Sequence, residues 1–214
     1  MGKKTNFAIL GLGVLAIFLA ADFASAGPLD GVEMLNVSYN GSGCPQGSVT
    51  TAFSSNASEF SILYSALTTN VGGNTGHSTD SRGCEVQIRL KSPFGYKVQV
   101  DSADFRGFVA LDGGVVAEHT VNHQVGSNRL ASYGFGAQIF QGPVQQNYLI
   151  RSRHPNLKLP RLLQCLPLTR ETNLTVRTNV KITGGEPSRL GMLTVDSADG
   201  RIEQKYVLSL KKCL

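Results

Sequence analysis

The feature that most limits what this chain can become is the strict alternation of apolar and polar residues over 84–91. Cys84, Val86, Ile88 and Leu90 fall on one face, and Glu85, Gln87, Arg89 and Lys91 on the other. A period of two marks a strand with one buried face. After Ser92-Pro93-Phe94-Gly95, where proline presets a turn dihedral, the pattern resumes through Tyr96, Val98 and Val100, and it returns over 115–125. With the apolar run 105–111 between them, residues 84–125 read as four consecutive strands of an antiparallel meander.

The rest of the chain repeats this pattern. Leu35, Val37 and Tyr39 share a face, as do Val49, Thr51 and Phe53, and then Phe60, Ile62, Tyr64 and Ala66. Residues 133–140 and 147–150 read as strands, and in 173–182 Leu174, Val176, Val180 and Ile182 point one way. Residues 190–195 and 201–210 read as the two arms of a hairpin. Residues 40–47, punctuated by glycine and proline, and 68–83, rich in Gly, Asn, Ser and Thr, read as loops. No amphipathic helix of useful length is present. The expected fold is all-β, an antiparallel sandwich or flattened barrel of roughly eleven strands held by two disulfides.

Lys3 and Lys4 precede an apolar core over 7–21, and Ala24-Ser25-Ala26 follows. This predicts a secretory signal peptide over 1–26 and a single β-sandwich domain over 27–214, with no transmembrane segment after cleavage. Cys44, Cys84, Cys165 and Cys213 all follow that leader. An even count in an oxidising compartment predicts two disulfides. Of the three connectivities, Cys44 with Cys84 and Cys165 with Cys213 each close one half of the chain. No two cysteines are spaced as a zinc hook, so no metal is expected. The destination is secreted and extracellular, or periplasmic in a Gram-negative source.

The formal net charge of +5 is mild. Its one concentration is a proline-containing loop with Arg151, Arg153, His154, Lys158 and Arg161. That loop could touch an acidic polymer or a lipid head group, although solubility alone explains it. Nucleic acid is not an expected partner, because there is neither a basic helix nor an aromatic platform.

Few motifs carry chemistry. Gly134 and Gly136 lack the third glycine and the helix of a dinucleotide fingerprint. His119 and His123 share a strand face about 13 Å apart, too far for one metal ion. Asn36, Asn40, Asn56 and Asn173 open Asn-x-Ser/Thr sequons, relevant only in a glycosylating pathway. Asp-Ser-Ala-Asp occurs at 101–104 and 196–199. Paired carboxylates could ligate calcium or serve as the acid and base of a glycosidase. Local turn chemistry explains them as well, so both segments are expected to be turns. No serine sits in a Gly-x-Ser-x-Gly setting. No catalytic residue and no cofactor is assigned.

Several patterns in order carry a resemblance. They are Gly43-Cys44-Pro45 with Gly47-Ser48-Val49, Phe60-Ser61-Ile62-Leu63-Tyr64, Cys84, Phe105-Arg106-Gly107-Phe108, Leu111-Asp112 with Gly114-Val115, Gly142-Pro143, Cys165, Thr194-Val195-Asp196-Ser197 and Cys213. On these the chain resembles the secreted family called domain of unknown function 4360, found in bacteria and fungi. The resemblance implies export, disulfides and a β fold, and it transfers no catalytic residue. The functional expectation is a secreted, non-enzymatic β-sandwich that binds glycans or another envelope or extracellular component. The alternative is a small secreted, glycosidase-like hydrolase using the Asp carboxylates.

Overall fold

The computed structural model describes residues 29, 31–126, 133–153, 169–184, 186–195 and 204–213. The expected signal peptide, His154, Lys158, Arg161, Cys165 and the second Asp-Ser-Ala-Asp segment lie outside the described residues. Within them the chain forms β1 (Glu33–Asn40), β2 (Val49–Phe53), β3 (Glu59–Tyr64), β4 (Thr68–Val71), β5 (Thr79–Lys91), β6 (Tyr96–Leu111), β7 (Val115–Val125), β8 (Tyr133–Gln141), β9 (Val144–Arg153), β10 (Glu171–Gly184), β11 (Gly191–Thr194) and β12 (Gln204–Lys212). They make two antiparallel sheets. One has five strands in the order β1-β5-β10-β7-β8, and the other has seven, β2-β3-β12-β6-β11-β4 with β9 beside β6. The fold is the expected all-β sandwich.

Its connectivity departs from the meander. β5 and β7 belong to one sheet and β6 to the other, so the chain crosses the sandwich at each turn. Alternation specifies a buried face but not a sheet. The faces of β5 and β6 therefore meet across the core and are not side by side. Likewise β11 and β12 are not arms of a hairpin. Both run antiparallel to β6 along the same side, β11 against Phe108–Leu111 and β12 against Tyr96–Phe105.

The first Asp-Ser-Ala-Asp segment is no turn. It lies inside β6, where the register against β12 shifts between Val207 and Leu208. Before the segment Val98 and Val100 are buried, and after it Ala103, Phe105, Val109 and Leu111. One extra residue moves the buried positions from even to odd, which is a β-bulge. A similar shift between Met34 and Asn36 turns Leu35 outward. The expected loop 68–83 contains β4 and the start of β5, where Thr79–Gly83 pair with Asn179–Thr183. Polar residues there hid the strand: Asp80 bonds Arg82 at 3.4 Å and accepts the Asn70 N–H. Arg151 and Arg153, expected in a loop, belong to β9, and Arg151 faces Asp104 across the ladder at 3.9 Å.

The core carries a polar seam. Tyr64 and Tyr206 donate to Gln204 Oε1 at 3.3 Å each, and Gln204 Nε2 donates to Thr178 Oγ1 at 3.1 Å, joining the two sheets. Burial raises the pKa of both phenols, so they remain neutral donors. Around them Tyr206 stacks on Phe60 at 4.5 Å and meets Phe105 and His123 edge-on. A second cluster lies under β9. Tyr148 Oη is 3.0 Å from His119 Nδ1 and 3.3 Å from the Thr194 carbonyl.

Gly107 makes that cluster possible. It pairs with Tyr148, and a Cβ there would lie 2.3 Å from both the Thr194 oxygen and the Tyr148 hydroxyl. The tyrosine ring occupies the space a side chain would fill. Gly107→Ala is expected to displace Tyr148 and cost about 2 to 3 kcal/mol of stability in urea unfolding, because the neighbouring backbone oxygen cannot yield.

Candidate functional site

The two histidines singled out in the sequence are packed core residues. Both are fully buried on the inner face of β7. His119 Nδ1 can donate to Tyr148, whose hydroxyl then donates to Thr194. That tautomer uses both donors and leaves only a lone pair of Nε2 without a partner. Desolvation lowers the pKa of His119 from 6.5 to about 3, so it is neutral at ordinary pH. The carboxylates also have local duties. Asp101 Oδ1 accepts from Ser209 at 2.8 Å and Gln99 at 3.3 Å. Asp112 Oδ2 accepts the Leu190 N–H at 2.8 Å, at the edge far from Asp104 in β6. Among the described residues no three His, Cys, Asp or Glu side chains converge as a metal site.

The arrangement with chemical reach is the outer face of the five-stranded sheet. Its register lines up one residue from each strand: Asn40 of β1 opposite Glu85 of β5, Glu85 opposite Arg177 of β10, Arg177 opposite Asn122 of β7, and Asn122 opposite Phe135 of β8. At about 4.8 Å per strand, the row spans about 19 Å. Alternation puts these side chains outward because the intervening Cys84, Val86, Val176 and Val121 fill the core.

Glu85 and Arg177 anchor the row. The guanidinium Nε of Arg177 bonds Glu85 Oε2 at 2.5 Å, and Gln87 Nε2 donates to Glu85 Oε1 at 2.7 Å. The Gln87 amide, with Arg177 beside it, holds the Glu85 carboxyl below the usual carboxylate range. The carboxylate stays ionised and the guanidinium keeps other N–H donors for a ligand. Beside them Asn179 faces Gly83, and a Cβ on that glycine would lie 2.5 Å from the Asn179 amide oxygen. The bare backbone lets the carboxamide lie down, which flattens the surface. The neighbouring row adds Gln124, Thr175, Gln87 and Ser38.

The aromatic end completes the surface. Phe135 is 54% exposed and Ile139 63%, both outward on β8 with Ala137 between them. Gly136 points inward because a Cβ there would press on Ile150 and Phe105 at 3.0 and 3.3 Å. The glycine thus fixes which way Phe135 turns. In the sequence these outward residues read only as solvent-facing strand positions. The signal was the recurrence of Asn, Gln, Thr and Arg at every second position, but the row exists only once strand order is known.

The chain belongs to the family described as Domain of unknown function (DUF4360), whose model matches residues 30–213. An uncharacterized secreted protein of Arthroderma benhamiae (strain ATCC MYA-4681 / CBS 112371) is 24% identical over 185 residues, covering 86% of this chain and 73% of that protein. Among solved structures, TmCBM61 in complex with β-1,4-galactotriose aligns over 87% of this chain and 91% of its own, at 12% identity and a TM-score of 0.26. The secreted relative and the disulfide between Cys44 and Cys84 agree on compartment, and the protein is secreted.

Proposed function

We propose that this secreted family member, cleaved after Ala26 on export, is a non-catalytic module that binds a glycan along the outer face of its five-stranded sheet. The observation that carries the reading is the row from Phe135 to Asn40. A sugar presents C–H faces and a ring of hydroxyls that both donate and accept. An exposed phenyl at one end offers the apolar contact, while Asn122, Arg177, Glu85 and Asn40 offer planar donors and acceptors in series. The flat, braced surface needs little ordering on binding, which favours a weak polar ligand.

The hydrolase alternative has no comparable support, since Asp101 and Asp104 stand on the outer face of the other sheet with Ser209 and Arg151 as partners. The test is a glycan array followed by titration of the best oligosaccharide. Phe135→Ala and Arg177→Ala are each expected to weaken binding about tenfold or more with unchanged thermal stability. Retention of full affinity by both variants would move the site elsewhere, and release of shortened sugar by the native protein would favour the hydrolase.

A further inference from the structure

A second surface lies at one end of the sandwich, away from that row. The turn between β5 and β6 is fixed on every side. The buried Ser92 N–H donates to the Arg170 carbonyl at 2.8 Å, and its hydroxyl donates to the Tyr96 carbonyl at 2.7 Å. The Tyr96 N–H returns to Pro93 at 3.2 Å, and the Cys213 N–H donates to the Gly95 carbonyl at 2.7 Å. On this rigid frame Phe94 is 76% exposed, and Tyr96 beside it is partly exposed. A loop free to rearrange would fold such a phenyl against the protein. This one holds it out.

The charges around it are unusual for a strand pair. Lys97 and Lys211 are register partners, and Lys212 pairs with Tyr96. Like charges directly opposite are destabilising in a ladder. Among the described residues none of these three lysines forms an ion pair. Among the described residues the acids at this end have other partners: Glu33 with Lys91, Glu171 with Arg89, and Asp101 with Ser209. Exposed Arg170 adds a further cation. Among the described residues β9 pairs with β6 from Ser102 onward, and β3 reaches β12 as far as Val207. Residues 96–100 pair with 208–212, with Val98, Val100 and Leu208 packed on the core and the turn at the end of this pair.

We propose that this tip, Phe94 and Tyr96 ringed by Lys97, Lys211, Lys212 and Arg170, docks on a bilayer that carries anionic lipid. The phenyl enters the head-group boundary, where apolar area is gained, and lysines without an ion pair among the described residues meet a negative surface. Burial draws the Lys97 pKa below its ordinary value. The docking is independent of the glycan row, which lies on the outer face of the opposite sheet.

The test uses the absence of tryptophan in the chain. Phe94→Trp introduces a single indole at the tip. With vesicles of mixed phosphatidylcholine and phosphatidylglycerol, its emission is expected to shift to the blue and to be quenched by brominated acyl chains. Phosphatidylcholine alone should give neither response. Lys97→Gln with Lys211→Gln should weaken co-sedimentation of the exported protein with the mixed vesicles about 25-fold, at about fivefold per lysine. Phe94→Ser should weaken it about tenfold or more, and Phe135→Ala not at all. An indole emission that stays unshifted when the Phe94→Trp protein meets mixed vesicles would overturn the proposal. So would lysine-dependent binding to heparin as tight as to vesicles and indifferent to Phe94→Ser, which would mark a polyanion site.

Discussion

Acidification to about pH 4 is expected to remove about 3 kcal/mol of folding stability through His119 alone. Its imidazole takes no proton in the folded protein until about pH 3, because desolvation holds its pKa that far below 6.5. In the unfolded chain it is protonated as pH falls through its ordinary value. Over that window the unfolded state binds more protons, so stability rises with pH. It is fully present above about 6.5, falls toward 3 and is flat below. The one buried partner of the ring, the Tyr148 hydroxyl, cannot compensate a second N–H on the far nitrogen. Urea midpoints across the range read the effect. His119→Gln should flatten the slope between pH 6.5 and 4.5, whatever it does to stability at neutral pH. Loss through Glu85 begins only as pH drops below the ordinary carboxyl value of 4.5, so it falls at the acid end of the scan. An unchanged slope in the variant would place the acid sensitivity elsewhere.

Removing the Cys44–Cys84 bond should have a large effect on stability. The bond joins residues 40 apart, tying the glycine-rich loop after β1 to the inner face of β5. By loop-closure entropy the link contributes about 4 kcal/mol, an upper figure because real unfolded chains keep some structure. Both sulfurs are buried, and Gly43 beside Cys44 sits so close to Leu67 and Arg82 that a side chain would not fit. Cys44→Ala with Cys84→Ala is expected to lower the melting temperature by about 10 °C at neutral pH. Cys213 is also disulfide-bonded. Its expected partner, Cys165, lies outside the described residues, and peptide mapping under non-reducing conditions should recover the Cys165–Cys213 pair.

The parts of the fold that a single strand dictates were legible in the sequence. The alternation of Cys84, Val86, Ile88 and Leu90 and that of Leu174, Val176, Val180 and Ile182 produce buried faces at those positions. What depends on a partner strand was not. A bulge at Asp101 and a turn at Asp101 both break alternation with polar residues, and only the ladder to β12 separates them. Thr79–Gly83 carry no apolar signal because their pairing with β10 lies at the sheet's end, where Asp80 and Arg82 satisfy one another. The row from Asn40 to Phe135 was invisible for the same reason. Glu85, Arg177 and Phe135 are far apart in the chain, and nothing local says that their strands are β5, β10 and β8 of one sheet.

The position of β12 bears on how the protein is made. This strand lies between β3 and β6, so the β2–β3 pair has no route into its sheet except through it. β10 does the same for the other sheet, standing between β5 and β7. A chain emerging from the ribosome can complete neither layer until its final stretch is available, and every earlier length is left with open ladders. A length of chain that lacks β12 is thus expected to remain open, the state in which a polypeptide can be threaded across a membrane.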